Sequence, residues 1–333
     1  DRLVKVERVL ITGGGGFIGS HLVEHQLGLG REVTVIDTNL ERLKSRQDVA
    51  GLSLVEGDIR DTVLLEKIVP GSDVVFHLAS AHLEVALDDS YFKETNVDAA
   101  SNLALISARE GVQRFVHCSS VGVYGPLDTV PADEHTPCRP DIAYEVTKLA
   151  GERAVLDIAA DKNLPTVVLR PAWVYGPGCP RTDKLFRALR KKSFLMVGTG
   201  QNLRHPVYID DMLQAFELAA TRDGIEGQVF VIASDEYVTL VQLISAILQV
   251  EHSSYRPVRV PLAFMWLVCF LVESVAKLLG REPPFSRRSL KFFTEDSAFS
   301  IARAMEKLGY THKVDLMTGL EKTRNAMFAS SSA

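Results

Sequence analysis

The chain of 333 residues is predicted to be an α/β protein: a doubly wound parallel sheet with helices on both faces, followed by a smaller, mostly helical lobe. Three observations predict this. Short β-branched runs alternate with longer helical stretches through the first two-thirds of the chain. The runs are continuously apolar, as suits strands buried on both faces. A glycine cluster stands between the first run and the first helical stretch.

Strands are expected over 9–11, 33–36, 52–55, 74–78, 115–118 and 167–169. Helices over 18–29, 62–69, 91–110 and 143–160 are long enough for right-handed crossovers between them. After about Gly178 the alternation breaks. A helical segment over 184–192 precedes a turn at Gly198-Thr199-Gly200, and a late strand over 229–232 is expected to rejoin the sheet. The rest, to about Thr323, reads as helical, punctuated by Pro257, Pro261, Pro283 and Pro284. Residues 1–178 are therefore read as a nucleotide-binding domain and 179–333 as a substrate lobe, with 329–333 a disordered end. No internal repeat is found.

With 46% hydrophobic and 24% charged residues, the composition excludes collagenous, low-complexity and disordered classes. The net charge of -5 has no run of five like charges, so nucleic acid is not expected as a partner. Cys118, Cys138, Cys179 and Cys269 are far apart and frame neither a zinc site nor a disulfide scaffold, which makes a reducing, cytoplasmic compartment the default. No signal or transit peptide is visible ahead of the first strand. The most apolar stretch, 262–272, is too short to span a bilayer before Glu273 interrupts it. It is read as a helix packed on its own domain, with a membrane-touching interfacial helix as the alternative.

The strongest local signal is Thr12-Gly13-Gly14-Gly15-Gly16-Phe17-Ile18-Gly19. Glycines at 13, 16 and 19 permit a tight turn, let backbone N–H groups approach a pyrophosphate, and let the helix pack closely on the strand. This is the dinucleotide fingerprint of a Rossmann-type fold. Asp37 ends the next strand, where an acid can accept hydrogen bonds from the adenosine ribose and repel a 2′-phosphate, favouring NAD over NADP. It could instead be a turn acid, and Arg42, Lys44 and Arg46 nearby could soften the preference. Asp58, in Gly57-Asp58-Ile59-Arg60, could meet the adenine amino group.

Oxidation or reduction at a carbinol carbon needs a group that moves a proton on and off its oxygen. Tyr144-Glu145-Val146-Thr147-Lys148 places a phenol and an ammonium at i and i+4 on one helix face. A fixed cation nearby favours the phenolate. Ser119-Ser120, at the end of the preceding strand, adds a hydroxyl for the same substrate oxygen.

In this order these residues resemble the extended short-chain dehydrogenase/reductase family, the NAD-dependent epimerase/dehydratase superfamily. The resemblance extends over His77-Leu78-Ala79-Ser80, Ser119-Ser120-Val121-Gly122-Val123-Tyr124-Gly125 and Arg170-Pro171-Ala172-Trp173-Val174-Tyr175-Gly176-Pro177. It implies Ser120, Tyr144 and Lys148 as the catalytic residues, Lys148 also holding the nicotinamide ribose. It implies NAD contacts from Gly13, Gly16, Phe17, Ile18 and Gly19, from Asp37, Asp58 and Ile59, and from Leu78, Ala79, Ser80, Pro171 and Val174. A homodimer through the helices over 91–110 and 143–160 is implied as well.

Departures from the family patterns bear on the substrate. Val121-Gly122 stands where sugar-nucleotide 4,6-dehydratases carry Asp-Glu, which disfavours dehydration, and Val121 is taken as substrate-facing. Trp173 stands where epimerases usually have an Asn that meets the diphosphate; an indole cannot replace the amide, and with a bulky apolar alcohol it is expected to form a wall of the substrate pocket. Conversely, the segment from Gly200 to Asp211 resembles the loop in which those enzymes offer an Arg, here Arg204. The C-terminal portion resembles the 3β-hydroxysteroid dehydrogenase branch through Pro261, residues 279–285, Lys307-Leu308-Gly309-Tyr310, Gly319-Leu320 and Thr323.

The preferred reading is an NAD(H)-dependent oxidoreductase acting on a bulky secondary alcohol or ketone; the alternative is a UDP-sugar epimerase. A non-catalytic NAD sensor would not require the Ser-Tyr-Lys trio. His82 and Glu84 could reach nicotinamide or substrate, or serve structural or solvent roles. Asn96 could support the site through its amide or pack locally. Nine histidines show no metal-like spacing, and no metal is expected. Cys179 could be reactive if exposed.

Overall fold

The computed structural model describes residues 5–81, 89–278 and 287–331. Seven parallel strands form one sheet: β1 (Arg8–Thr12), β2 (Glu32–Asp37), β3 (Leu52–Glu56), β4 (Val74–His77), β5 (Arg114–Cys118), β6 (Thr166–Pro171) and β11 (Val229–Ile232), in the order β3-β2-β1-β4-β5-β6-β11. Each expected strand is present within two residues of its expected bounds, and 229–232 joins the sheet with Val229 opposite Val168. The order reverses between β1 and β4, which opens a crevice at the carboxyl ends of the strands, where such sheets bind ligands.

Both faces are dry. Ile11, Val35, Phe76 and Val116 pack with Leu22 and Phe216, under α1 (Phe17–Gly28) and α7 (Ile209–Thr221). The alternate residues Leu10, Ile36, Val75 and Phe115 pack with Leu65, Leu103 and Val155, under α2 (Thr62–Ile68), α4 (Ala100–Arg109) and α5 (Ala143–Lys162). The period of two along each strand thus feeds two separate apolar layers, which is why the runs read as continuously apolar. Phe216 meets Phe76 edge-on at 6.0 Å, so α7 covers the sheet although it follows residue 178.

The helix expected over 91–110 is divided. A short α3 (Asp89–Lys93) leads through a π-helical turn, Glu94–Ala99, into α4. The wide turn sits where Asn96 is held on both sides: its Oδ1 accepts from the Ala81 N–H (2.9 Å), and its Nδ2 donates to Thr147 Oγ1 on α5 (3.0 Å).

Beyond the sheet, β7 (Trp173–Tyr175) pairs with β10 (Pro206–Tyr208), β8 (Leu195–Val197) with β13 (Val258–Val260), and β9 (Leu203–Arg204) with β12 (Val238–Thr239). Around them lie α6 (Pro180–Arg190), α8 (Leu240–Val250), α9 (Leu262–Leu278), α10 (Lys291–Thr294) and α11 (Leu316–Ser331). Helix α6 starts earlier than expected because Pro180 occupies its first turn, where no N–H is needed. Buried His205 ties this region together: Nδ1 accepts from the Phe299 N–H (3.1 Å) and Nε2 donates to the Ser234 carbonyl (2.8 Å). Helix α11 runs on to Ser331, where a disordered end was expected; Arg190 and Arg324 stack on the Phe328 ring at 4.3 and 4.8 Å.

Helix α9 forms where the apolar stretch predicts a helix, but only one side packs on the protein. Cys269 and Ala276 are buried, while Phe264, Trp266, Leu267, Phe270, Leu271, Val275 and Leu278 are exposed. Among the described residues no helix is long and apolar enough to cross a membrane. His82, Glu84 and the segment 279–285 lie outside the described residues.

Candidate active site

The glycine loop turns between β1 and α1. Gly13 has φ +74°, and a Cβ there would lie 2.6 Å from the Ala79 backbone nitrogen, so only glycine fits against the end of β4. A Cβ on Gly15 would overlap the Asn39 carbonyl, and one on Gly19 the Gly13 carbonyl. The need for glycine at 15 was not legible, because it arises from the β2 turn folding back over the loop. Gly16 caps α1 with extended backbone and no side-chain bond, and no acid lies in the first turn. The N–H groups of Phe17, Ile18 and Gly19 therefore have no intrahelical acceptor, as a diphosphate-binding helix start requires.

Asp37 Oδ2 accepts from the Gly15 N–H and Oδ1 from the Asn39 N–H, both at 2.9 Å, which fixes the carboxylate beside the loop. The nearby cations are engaged elsewhere: Arg42 on the Gly178 carbonyl, Lys44 on Glu41 and Arg46 on Glu24. Asp58 is held by Arg60, whose Nε and Nη2 donate to its carboxylate; those bonds keep the carboxyl below the usual carboxylate range. An adenine amino group would compete with Arg60 there. Ile59 is buried in the apolar layer beneath. Leu78 and Ala79 continue from β4, their N–H groups bonded to the Thr12 carbonyl (3.1 Å) and hydroxyl (3.2 Å), and partly buried Ser80 follows.

Lys148 is buried, with Nζ donating to the Cys118 carbonyl at the end of β5 (2.8 Å). Under it His77 and His117 lie with ring centroids 5.2 Å apart. Burial, with the Lys148 charge adding, holds His77 down to about 3; burial also holds His117 well below the usual histidine range. Both rings are neutral near pH 7, so neither places a charge beneath Lys148.

Tyr144 is partly buried, its ring edge-on to Phe92 at 6.3 Å, one turn before Lys148 on α5. The Asn96–Thr147 bond anchors that turn, and Thr147 Oγ1 also donates to the Tyr144 carbonyl (2.9 Å).

The two serines have different surroundings. Ser119 is buried and donates to Glu152 Oε2 (2.6 Å), while Glu152 is paired with Arg170, which donates in turn to the Tyr124 hydroxyl (3.0 Å). Ser120 is partly exposed, and its Oγ accepts from the Gly122 N–H (3.0 Å) while capping the turn Val121–Tyr124. The Ser119–Glu152–Arg170 network had no local signal, because its members come from β5, α5 and β6.

A cleft of about 690 Å³ opens beside the turn Val121–Tyr124. Val121, Gly122 and Glu145 form one wall, with Leu127, Ile142, Leu185, Phe194, Phe292 and Phe299 around them. A Cβ on Gly122 would lie 2.9 Å from a Glu145 carboxylate oxygen, so this carboxylate occupies the space that Gly122 leaves. Arg204 also lines the cleft, but its Nη2 donates to the Phe292 and Lys291 carbonyls and its guanidinium stacks on the Phe292 ring at 4.7 Å. Burial lowers its pKa to about 10.

Arg181 and Lys184 on α6 are exposed at the cleft. Sequence reading missed them, for nothing in a helical segment marks which face meets a cavity. Trp173 is not among the lining residues: its ring lies 6.5 Å from that of Tyr175, and its buried indole N–H has no partner among the described residues. Pro171 and Val174 are buried at the end of β6 and in β7. Cys179 is buried, with its thiol on the Val174 carbonyl, which removes the exposure a reactive role would need.

The parallel sheet with its crevice at the switch point and the glycine loop at an uncapped helix start are those of a dinucleotide-binding fold. The family model described as NAD dependent epimerase/dehydratase family matches residues 9–233, and the chain belongs to that family. It is 30% identical over 345 residues to a sterol-4-alpha-carboxylate 3-dehydrogenase, decarboxylating, of Candida albicans, covering 97% of this chain and 98% of the relative. It is 26% identical to a 2-alkyl-3-oxoalkanoate reductase of Shewanella oneidensis, covering 97% and 87%. Among solved structures, a UDP-glucose 4-epimerase of Thermotoga maritima with UDP-glucose superposes with a TM-score of 0.79 at 26% identity, covering 97% of this chain and 99% of the other. The chain is an NAD-dependent enzyme, and its similarity to the sterol dehydrogenase extends through the C-terminal lobe.

Proposed function

We propose that the protein is a dehydrogenase/reductase acting at a secondary alcohol or ketone of a bulky, largely apolar substrate. The observation that carries this reading is the cleft, whose surface is mainly apolar although charged residues share its lining, and whose Arg204 is committed to backbone carbonyls. When bound, NAD supplies the hydride acceptor. In the oxidative direction Tyr144, as phenolate, takes the proton from the substrate hydroxyl; Lys148 stabilises the phenolate; and Ser120 donates to the substrate oxygen. The neutrality of His77 and His117 supports that role for Lys148, since neither ring beneath it carries a competing charge.

The names of two relatives narrow the substrate class. A sterol-4-alpha-carboxylate oxidised at position 3 and a 2-alkyl-3-oxoalkanoate both carry a carboxylate one carbon away from the carbinol or keto carbon. Arg181 and Lys184 supply cations at the cleft of this chain that could meet such a group. The likeness to UDP-glucose 4-epimerase keeps the second reading, a UDP-sugar epimerase, in which Arg204 would leave its carbonyl acceptors for a diphosphate.

The test is net NADH formation with NAD against bulky 3-hydroxy acids, their methyl esters and UDP-sugars. We expect net turnover of the acids, with the Arg181→Ala, Lys184→Ala double variant raising KM for the acid far more than for the ester. Saturable UDP binding that Arg204→Ala abolishes, without net NADH, would establish the epimerase instead. The exposed Leu105 and Val146 on the adjacent helices α4 and α5 support a homodimer through those helices, which light scattering would test.

A further inference from the structure

We propose that the buried Glu152–Arg170 pair positions Ser120 for the reaction by holding the chain on both sides of it, a role that rests on the reading of Ser120 as the hydroxyl that meets the substrate oxygen. Glu152 and Arg170 are 2 and 6% exposed, and well-packed apolar residues could fill the same space without the cost of taking two charges out of water. What the charges add is direction, because a carboxylate and a planar guanidinium hold their partners along fixed hydrogen bonds. Those partners bracket Ser120. Before it, Ser119, the first residue after β5, donates to Glu152 Oε2 (2.6 Å), and Arg170 Nε donates to the same oxygen (3.1 Å). After it, Tyr124 closes the turn Val121–Tyr124, and its hydroxyl accepts from Arg170 Nη1 (3.0 Å) while the guanidinium lies over its ring at 5.0 Å. Arg170 Nη2 donates to Glu152 Oε1 and completes the pair.

Ser120 lies between these anchors. It is partly exposed, and its Oγ accepts from the Gly122 N–H (3.0 Å), which fixes the oxygen and leaves its own proton for a substrate. Ser119 and Tyr124 are buried, and neither is among the residues lining the cleft, so they act on a substrate only through the turn they hold. Burial pushes the Tyr124 hydroxyl up to about 12, and it therefore meets Arg170 as a neutral acceptor. Its ring lies 5.7 Å from that of Phe299, a cleft-wall residue, which braces the turn against that wall as well.

Helix α5 ties the pair to the other reacting groups. Tyr144, Lys148 and Glu152 follow at i, i+4 and i+8 along it. Lys148 donates to the Cys118 carbonyl (2.8 Å), and Glu152 accepts from the next residue, Ser119. The helix thus grips two consecutive residues at the end of β5, and Arg170 on β6 carries the hold across to Tyr124. The place of the Ser120 hydroxyl relative to Tyr144 and Lys148 is therefore set by directed hydrogen bonds. A shift of about 1 Å in such a group costs on the order of a hundredfold in rate.

Tyr124→Phe and Ser119→Ala each remove one hydroxyl and leave the ion pair in place. With NAD and a bulky 3-hydroxy acid, each should lower kcat about tenfold while KM for NAD stays unchanged. In a Ser120→Ala background the further loss from Tyr124→Phe should shrink below about twofold, because the group it positions is gone. Glu152→Leu with Arg170→Met removes both charges together; it should regain most of the stability lost in Glu152→Leu alone and still turn over slowly. Hydrogen exchange reads the same hold without a substrate: residues 119–125 should exchange about tenfold faster in Tyr124→Phe while β1 and β4 keep their protection. A loss of the same size with and without the Ser120 hydroxyl, turnover that returns together with stability, or unchanged exchange over 119–125 each overturns the proposal. Wild-type turnover in Ser120→Ala overturns it at a different point, the reading of Ser120 itself, even where exchange shows the turn to be held.

Discussion

Asp37 is expected to set which nicotinamide cofactor the enzyme accepts, and its surroundings set the size of the effect. Both carboxylate oxygens are pinned by backbone N–H groups at 2.9 Å, so the charge cannot swing away from an incoming 2′-phosphate. Lys44 and Arg46 are paired with Glu41 and Glu24, and Arg42 is held on the Gly178 carbonyl. Two unit charges 4 Å apart repel by about 1 kcal/mol in water and about 4 kcal/mol at an effective dielectric of ~20. Asp37 is half-buried, so its penalty falls between these limits, at about 2–3 kcal/mol, or roughly 30- to 150-fold in favour of NAD. Asp37→Asn removes the charge, but its amide can accept only one of the two N–H bonds and presents a donor to the other. NAD binding should therefore weaken by about tenfold, while the NAD-to-NADP ratio contracts to roughly tenfold or less. Titration calorimetry with both cofactors measures this. Equal affinities in the unmodified protein, or an unchanged ratio in Asp37→Asn, would refute the reasoning.

Tyr144→Phe keeps the ring against Phe92 and removes the proton-carrying oxygen, so turnover should fall on the order of a hundredfold or more with NAD affinity preserved; wild-type turnover would remove Tyr144 from the mechanism. Glu152→Leu strands the buried Arg170 guanidinium and should cost about 3–5 kcal/mol in urea denaturation, with Arg170→Met restoring much of it in the double variant. A loss below about 1 kcal/mol would mean that water reaches this pair. Stability should also fall on acidification. Burial holds His77 near 3 and His205 near 4, below the ordinary value of about 6.5, so the unfolded chain takes up protons first. The stability is present above about pH 6.5 and drains as pH falls towards 4; His205 alone contributes a loss of about 2 kcal/mol by pH 5. A melting temperature that stays flat from pH 7 to about 5 would contradict the buried neutral state.

The sheet was legible because each strand must be apolar on both faces, and no other element gives short, continuous β-branched runs spaced by crossover helices. The glycine loop, Asp37 and the Tyr144–Lys148 pair were legible because their chemistry lies within one turn or one helix. What escaped was assembled across the chain. Glu152 reads as one more acid on an amphipathic helix until β6 brings Arg170 against it. Asn96 showed two possible roles in sequence; the π-helical turn resolves them by aiming its amide at Ala81 and Thr147. Glu145 stood inside the Tyr-x-x-x-Lys spacing, yet its place beside Gly122 depends on how α5 meets the turn after β5.

Arg204 shows how far a local likeness carries. The segment from Gly200 to Asp211 matches the sugar-nucleotide pattern in sequence, and the structure does bring Arg204 to the cleft wall. What the guanidinium does there is decided by α10, nearly ninety residues later, whose Lys291 and Phe292 carbonyls take its protons and whose Phe292 ring takes its face. A diphosphate would have to displace those contacts before gaining its own, whereas Arg181 and Lys184 stand at the same cleft with no such commitments among the described residues. The position of a cation can thus persist between related clefts while its availability does not, and availability is what selects an anionic group on a substrate.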